Sequence, residues 1–286
     1  MIRPDPVRRV LVGVTCLAWL VGAEPAAAQK PKSEEETTRE FRALAWQRGP
    51  TDGHMGGTAT IKVGDGQAFL DGQNTRRFLE LNGNPPRDNH YTLVSQDPNW
   101  FAVFHFEDRG YVKDDEKLDP GAILKALKDS DEPGNAERKR LGMAPLYTDG
   151  WHVPPHYDAA TRRLEWGVRL RGDTGPPVVN YTVRILGRRG VMSATLVSDP
   201  QRLDTDIVAF KAALGNFGFV PGERYAEFRA GDRVAEYGLA ALVLGGAAVV
   251  ATKTGFLKAF GKLILVGVVA FGGAAAAFFR KFFRRS

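Results

Sequence analysis

The chain has 286 residues, 43% hydrophobic and 25% charged, a balance that builds a globular core and excludes a disordered one. Its formal charge of +6 sits at the ends: residues 252–286 carry seven basic residues and no acid, and residues 1–28 carry a net +1. Subtracting both leaves −2 for residues 29–251, which excludes a nucleic-acid footprint, and the single Cys16 excludes disulfides and thiolate metal sites beyond it.

Chain order begins with an export signal. Arg3, Arg8 and Arg9 precede an uncharged run, Val10–Ala23, and Ala26-Ala27-Ala28 precede Gln29. A basic head, an apolar middle and a small-residue cleavage site predict a secretory signal peptide over 1–28. The run of 14 residues is short of the ~20 that a bilayer span needs. Cys16 follows Thr15 in mid-run, where a lipidation site does not fall.

A soluble extracytoplasmic domain is predicted over 29–233. Ser33-Glu34-Glu35-Glu36 is a capping box, so a helix is expected over roughly 34–47. Thr58–Val63 alternates as a strand, and 72–81 reads as a short helix closed by Asn82-Gly83-Asn84-Pro85-Pro86. Trp100–Phe106 carries large apolar residues on both faces, the mark of a strand covered on both sides. Asp119 as N-cap and Pro120 at the first helical position start a helix bearing Ile123, Leu124 and Leu127. Leu164, Trp166, Val168 and Leu170 alternate against Glu165 and Arg169. Tyr181, Val183 and Ile185 repeat the pattern, and Val191–Val197 returns after the turn Gly187-Arg188-Arg189-Gly190. Asp204–Phe217 is predicted helical, from Ile207, Phe210, Leu214 and Phe217 at steps of three and four. The connections are too short for parallel crossovers. The predicted class is therefore α+β, an antiparallel sheet with helices packed on it.

Residues 234–286 are predicted to form a hydrophobic membrane anchor with a basic tail. Tyr237–Ala251 and Leu263–Phe279 are uncharged, with Lys253, Lys258 and Lys262 between or beside them. A helix of 17 residues is about 26 Å long, near the ~30 Å hydrocarbon thickness. Phe278-Phe279-Arg280-Lys281-Phe282-Phe283-Arg284-Arg285 reads as an interfacial flank. Two separate runs favour a helical hairpin over one span, so the bilayer is an expected partner through 237–279.

Reactive motifs fail on inspection. Gly255 to Gly261-Lys262 has the wrong spacing for a phosphate loop, and Leu263 stands where a magnesium-binding hydroxyl should. His152 and His156 are four apart, but Pro154 and Pro155 prevent a helix from presenting them together, so both read as surface-loop histidines. Glu107, Asp108, Asp114, Asp115 and Glu116 form an acidic turn, in which Asp114, Asp115 and Glu116 are weak cation-site candidates. The commoner role for such a turn is to feed the helix cap at Asp119. Trp100, Trp151, Trp166 and Tyr157 are either cleft aromatics or core.

Several short strings, taken in order, resemble the DUF2167 family of prokaryotic membrane-anchored proteins of unknown function. They are Trp46 with Gly49-Pro50, Asn82-Gly83-Asn84, Gly110-Tyr111-Val112-Lys113-Asp114-Asp115-Glu116, and Asn135 with Arg138 and Gly142. Gly150-Trp151, Pro155, Tyr157-Asp158, Leu164-Glu165-Trp166, Asn180-Tyr181, Leu186-Gly187-Arg188-Arg189-Gly190 and Gly222 with Arg224-Tyr225 complete the likeness, over roughly 40–250. The resemblance implies a membrane anchor and supplies no catalytic residue. The element order is also reminiscent of the Mog1/PsbP-like α-β-α sandwich. The expected function is a non-enzymatic binding or structural module of the cell envelope, with no cofactor and an envelope protein as partner. Its place is the inner membrane, with the domain facing the periplasm or the cell exterior. The functional surface would hold Tyr111, Lys113, Asp114, Trp151, Tyr157 and Asp158. The alternative is a periplasmic enzyme or a small-ligand or cation receptor using the 107–116 turn or the 151–158 loop.

Overall fold

The structure, a computed structural model, describes residues 34–82, 84, 86–95, 100–140, 144–173 and 177–245. The expected signal peptide, Ser33 of the capping box and the run Leu263–Phe279 lie outside the described residues.

The alternating segments build an eight-stranded antiparallel sheet. Its strands are β1 (Gln47–Arg48), β4 (Gln67–Leu70), β5 (His90–Ser95), β6 (Phe101–Glu107), β7 (Leu146–Asp158), β8 (Arg163–Gly172), β9 (Val178–Leu186) and β10 (Val191–Val197). Across the sheet they run β1-β4-β5-β6-β10-β9-β8-β7. A second, three-stranded antiparallel sheet joins β2 (Thr51–Met55), β3 (Ala59–Val63) and β11 (Phe217–Phe219) in the order β11-β3-β2. Six helices accompany them among the described residues: α1 (Glu34–Ala43), α2 (Gly72–Leu81), α3 (Pro120–Asp129), α4 (Asp131–Arg140), α5 (Leu203–Leu214) and α6 (Leu239–Val243).

Both faces of the large sheet are buried, each for a different reason. On one face Ala102, Phe104, Tyr181, Val183, Ala194 and Leu196 meet Ile61 of the small sheet and Phe210 of α5. Phe210 lies edge-on to Trp100 at 5.8 Å and to Tyr181 at 6.3 Å, the ring geometry that aromatic quadrupoles favour. On the other face α1 and α2 cover Phe101 and Val103 through Phe41 and Phe78. The same face carries a second cluster, where Leu164, Trp166, Val168 and Leu170 pack with Ile123 of α3 and Leu239, Leu242 and Val243 from α6. The predicted two-sided burial of β6 and the opposed faces of β8 are both present.

Several expectations are corrected. α1 stops at Ala43 rather than near 47, because the chain turns back and Trp46 Nε1 donates to the Phe41 carbonyl at 2.9 Å. α5 ends at Leu214; Phe217 continues the helical spacing but lies in β11, paired with Ile61. Residues 151–158 are not a loop. They belong to β7, whose register against β8 shifts at three points, the last spanning Pro154 and Pro155.

The largest correction concerns the C-terminal boundary. The first half of the run Tyr237–Ala251 is core: Leu239 is 0% exposed, Leu242 1% and Val243 7%. A domain ending at 233 would lose that packing, so the folded unit reaches at least Gly245. Among the described residues no helix is long and apolar enough to cross a membrane.

Truncating a fully buried aromatic both loses transfer free energy and leaves a cavity. Phe210→Ala is expected to cost about 3–5 kcal/mol in urea unfolding. Trp166→Ala, on the opposite face, should cost a similar amount, and a near-neutral result for either would contradict the two-faced core.

Candidate functional site

The polar residues that converge most closely form a knot around Asp114. β6 ends at Glu107, and the chain then runs irregularly beside the C-terminal segment. Tyr111 N–H donates to the Arg233 carbonyl at 2.8 Å, and Ala235 N–H donates to the Tyr111 carbonyl at 2.9 Å. Gly110 makes this approach possible: its φ is +95°, and a side-chain carbon there would lie 2.8 Å from the Arg233 carbonyl oxygen. The parallel bridge between Tyr111 and Val234 presents Asp114 to the β7–β8 hairpin.

Asp114 Oδ2 accepts from the Tyr157 hydroxyl at 2.7 Å and from Arg162 Nη1. Asp114 Oδ1 lies 2.9 Å from the Tyr225 hydroxyl, which is also 3.0 Å from the Val112 carbonyl. Tyr225 stands in a 3-10 turn, Tyr225–Glu227, with its ring stacked on Tyr111 at 4.4 Å. Arg162 lies over that ring at 4.9 Å, a cation–π contact that adds to its ion pair. Arg162 itself has φ +55°, a conformation that costs an ordinary residue about 1–2 kcal/mol. Its turn is fixed by a bond from Leu186 N–H to the Arg162 carbonyl at 2.9 Å.

The electrostatics make this a holding arrangement. Burial pushes the Asp114 carboxyl upward, but hydrogen bonds from Tyr157 and Tyr225 and the Arg162 charge outweigh it, so its pKa is lowered. Burial foremost, then the Asp114 carboxylate, pushes the Tyr157 hydroxyl far up. Burial, Tyr111 and Asp114 do the same to Tyr225. At neutral pH the carboxylate stays ionised and both phenols stay protonated as donors. None of the three is poised to exchange a proton near pH 7.

The remaining residues singled out from sequence scatter. Lys113 and Asp115 are exposed. Glu116 Oε2 accepts from Ala240 N–H at 3.0 Å, at the start of α6. Asp158 accepts from Ala160 N–H at 2.9 Å and the Thr161 hydroxyl at 2.8 Å, within its own turn. Trp151 Nε1 donates to the Pro120 carbonyl at 3.0 Å and its ring joins the core over β8. His152 Nε2 sits 2.7 Å from Asp204 of α5, and His156 is exposed. Both histidines are on β7 rather than in a surface loop. Asp114, Asp115 and Glu116 do not form a ligand set, and among the described residues no three His, Cys, Asp or Glu side chains come together to hold a metal. Asp114, Tyr111 and Tyr157 stand out in the sequence, and Arg162 does not. Tyr225 entered only as part of the family likeness.

A family model described as a protein of unknown function, DUF2167, matches residues 47–276. The chain belongs to that family. The DUF2167 match begins at β1 and takes in Asp114, Tyr157, Arg162 and Tyr225, so the whole knot lies inside it. No curated protein matches the chain in sequence. A solved structure with partial similarity is the solution structure of cyanobacterial PsbP (CyanoP) from Synechocystis sp. PCC 6803. It is 10% identical with a TM-score of 0.31, covering 56% of this chain and 86% of that one. A likeness that slight carries no argument about this DUF2167 fold.

Removing one donor to a half-buried, charged acceptor should cost about 1.5–3 kcal/mol, so Tyr225→Phe is expected to lose that much in urea unfolding. Asp114 is lowered in the folded state, so its contribution is present above its unfolded pKa and lost as pH falls. Asp114→Asn should therefore be less stable than wild type at pH 7. It should also lose less on acidification below about pH 4.

Proposed function

We propose that this DUF2167 chain is a membrane-tethered extracytoplasmic binding module of the cell envelope, not an enzyme. The observation that carries the reading is the destination of the C-terminal segment. Tyr225 is bonded to Asp114 and Ala240 to Glu116, and Leu239, Leu242 and Val243 pack with the β8 residues of the large sheet. Leu263, where the longest uncharged run starts, is only 18 positions beyond Gly245. The layer order, helices on one face of a large sheet and α5 with a small sheet on the other, is compatible with a Mog1/PsbP-like sandwich.

In this reading residues 1–28 are the signal peptide, and the mature chain sits in the inner membrane with its domain facing the periplasm or the cell exterior. The bilayer is met through Leu263–Phe279 as one span. A hairpin through Tyr237–Ala251 would have to pull Leu239, Leu242 and Val243 out of the core, at roughly 1.5–3 kcal/mol per side chain. One span leaves Arg280, Lys281, Arg284 and Arg285 inside and Lys253, Lys258 and Lys262 outside, a count that the positive-inside bias barely favours. The other partner is an envelope protein, engaged by the domain's surface.

Cell fractionation tests the tether. The full chain should resist carbonate and require detergent. A chain ending at Gly245, behind the same signal, should be released in soluble form. A chain ending at 233 should be degraded or aggregate, since it lacks Leu239, Leu242 and Val243. Release of the full chain by carbonate would sink the proposal. An impermeant thiol reagent should fail to label Ser286→Cys in intact cells, and labelling would restore the hairpin.

A further inference from the structure

The most unusual polar pair outside the knot is His90 and His105. They are directly opposed across β5 and β6, with ring centroids 4.3 Å apart and planes 8° from parallel. His90 Nδ1 lies 2.8 Å from the Asp88 carbonyl, and His105 Nδ1 lies 3.2 Å from the Asn89 carbonyl. A carbonyl only accepts, so both Nδ1 atoms carry hydrogen and both neutral rings keep a lone pair on Nε2. Asn89 has φ +55°, so one tight turn aims two consecutive carbonyls at two stacked rings.

We propose that the stacked His90–His105 pair is an acid-operated release for the edge of the large sheet, loosening the start of β5 when a proton enters. A proton must add at Nε2, and His90 is only 5% exposed. A second proton would set two positive charges face to face at the stacking distance. The nearby acids offset this only in part. Asp88, in the preceding turn, is paired with Arg76 of α2 at 2.6 Å. Glu107, two residues along β6 from His105, is paired with Arg184 of β9. Arg87 adds a further positive charge from the turn. Burial first, then His105, holds His90 down to about 4, and burial also lowers His105. The pair sits at the first rung of the β5–β6 ladder, and β4 and β1 are attached to the rest of the sheet only through β5. Charging the pair therefore strains the joint that holds that edge.

The sign follows from linkage. A histidine lowered on folding is protonated first in the unfolded chain, so stability is full above about 6.5 and falls with pH down to the folded value. For His90, about 2.5 pH units at tenfold each give a loss of about 300-fold in the folding constant once the pH is well below 4, about half of it by pH 4. Urea unfolding of wild type and of His90→Phe/His105→Phe, a stacked pair that cannot charge, should differ in slope over that interval, the variant being flatter. If the variant does not fold, the wild type alone decides. Imidazole C–H shifts should put the His90 midpoint near 4, and amide protection factors at residues 90–94 should fall as that midpoint is approached. Equal slopes for the two proteins, or a His90 midpoint near 6.5 with unchanged protection, would overturn the proposal.

Discussion

One ionised carboxylate decides how the C-terminal third of this domain is attached. Asp114 has no regular secondary structure of its own, yet it takes hydrogen bonds from residues 43, 48 and 111 positions away in sequence. Each of those contacts closes a long loop, whose entropy must be met by interactions formed together. The knot meets it with charge-assisted hydrogen bonds, which are stronger than neutral ones, and with stacked aromatics. Its surroundings repeat the device. Arg188 grips Asp232 with two bonds of 2.7 Å, and Arg233 reaches Asp108 at 2.7 Å. The exposed Arg233–Asp108 pair contributes little alone. Together these contacts fix the path along which Leu239, Leu242 and Val243 reach the sheet.

What could be read from the sequence follows from periodicity. β8 and β9 show alternation, β10 follows a turn signal and α3 shows a cap, and all four stand close to where those signals put them. β7 was hidden because Pro154 and Pro155 interrupt its pattern and its register shifts remove the period. α4 was hidden for the opposite reason: Asp131–Arg140 has no apolar stripe, and it is tied to β7 by Asp131 and Asn135 accepting from Thr148 and Leu146. α6 is the instructive error. A short Leu, Ala and Gly run has the same composition whether it enters a bilayer or a protein core, and only packing separates the two. The site was half legible. Tyr157 and Asp114 announce themselves as a phenol and a carboxylate among turn residues. Nothing local says that Arg162 would fold over Tyr225.

Asp206 shows the same limit on the opposite face. Its position in α5 reads as a first-turn acid favoured by the helix dipole, yet it is 0% exposed and bonded to the Ser198 hydroxyl. Burial raises its pKa despite that bond and despite Arg202. By linkage this group opposes folding increasingly as pH rises, the reverse of Asp114. The two carboxylates therefore tilt the pH dependence in opposite directions, one favouring acid and the other neutrality.

The helix-covered face of the large sheet is not one core but two. Between the cluster under α1 and α2 and the cluster under α3 and α6 lies a polar strip: Thr195 and Thr182 in one row, His105, Ser193 and Arg184 in the next. The Thr182 and Thr195 hydroxyls are 3.5 Å apart, and Arg184 crosses the strip to Glu107. Apolar contact on this face therefore does not run continuously from the His90 edge to the Asp114 knot. The two halves are joined through the β6–β10–β9 ladders and through the continuous core on the other face. Local opening at β5 can then proceed without first dissolving the cluster that holds α6, because the side chains it uncovers on this face belong to the α1–α2 cluster. The strip, which His105 itself enters, thus sets a seam between the half under α1 and α2 and the half that holds α6.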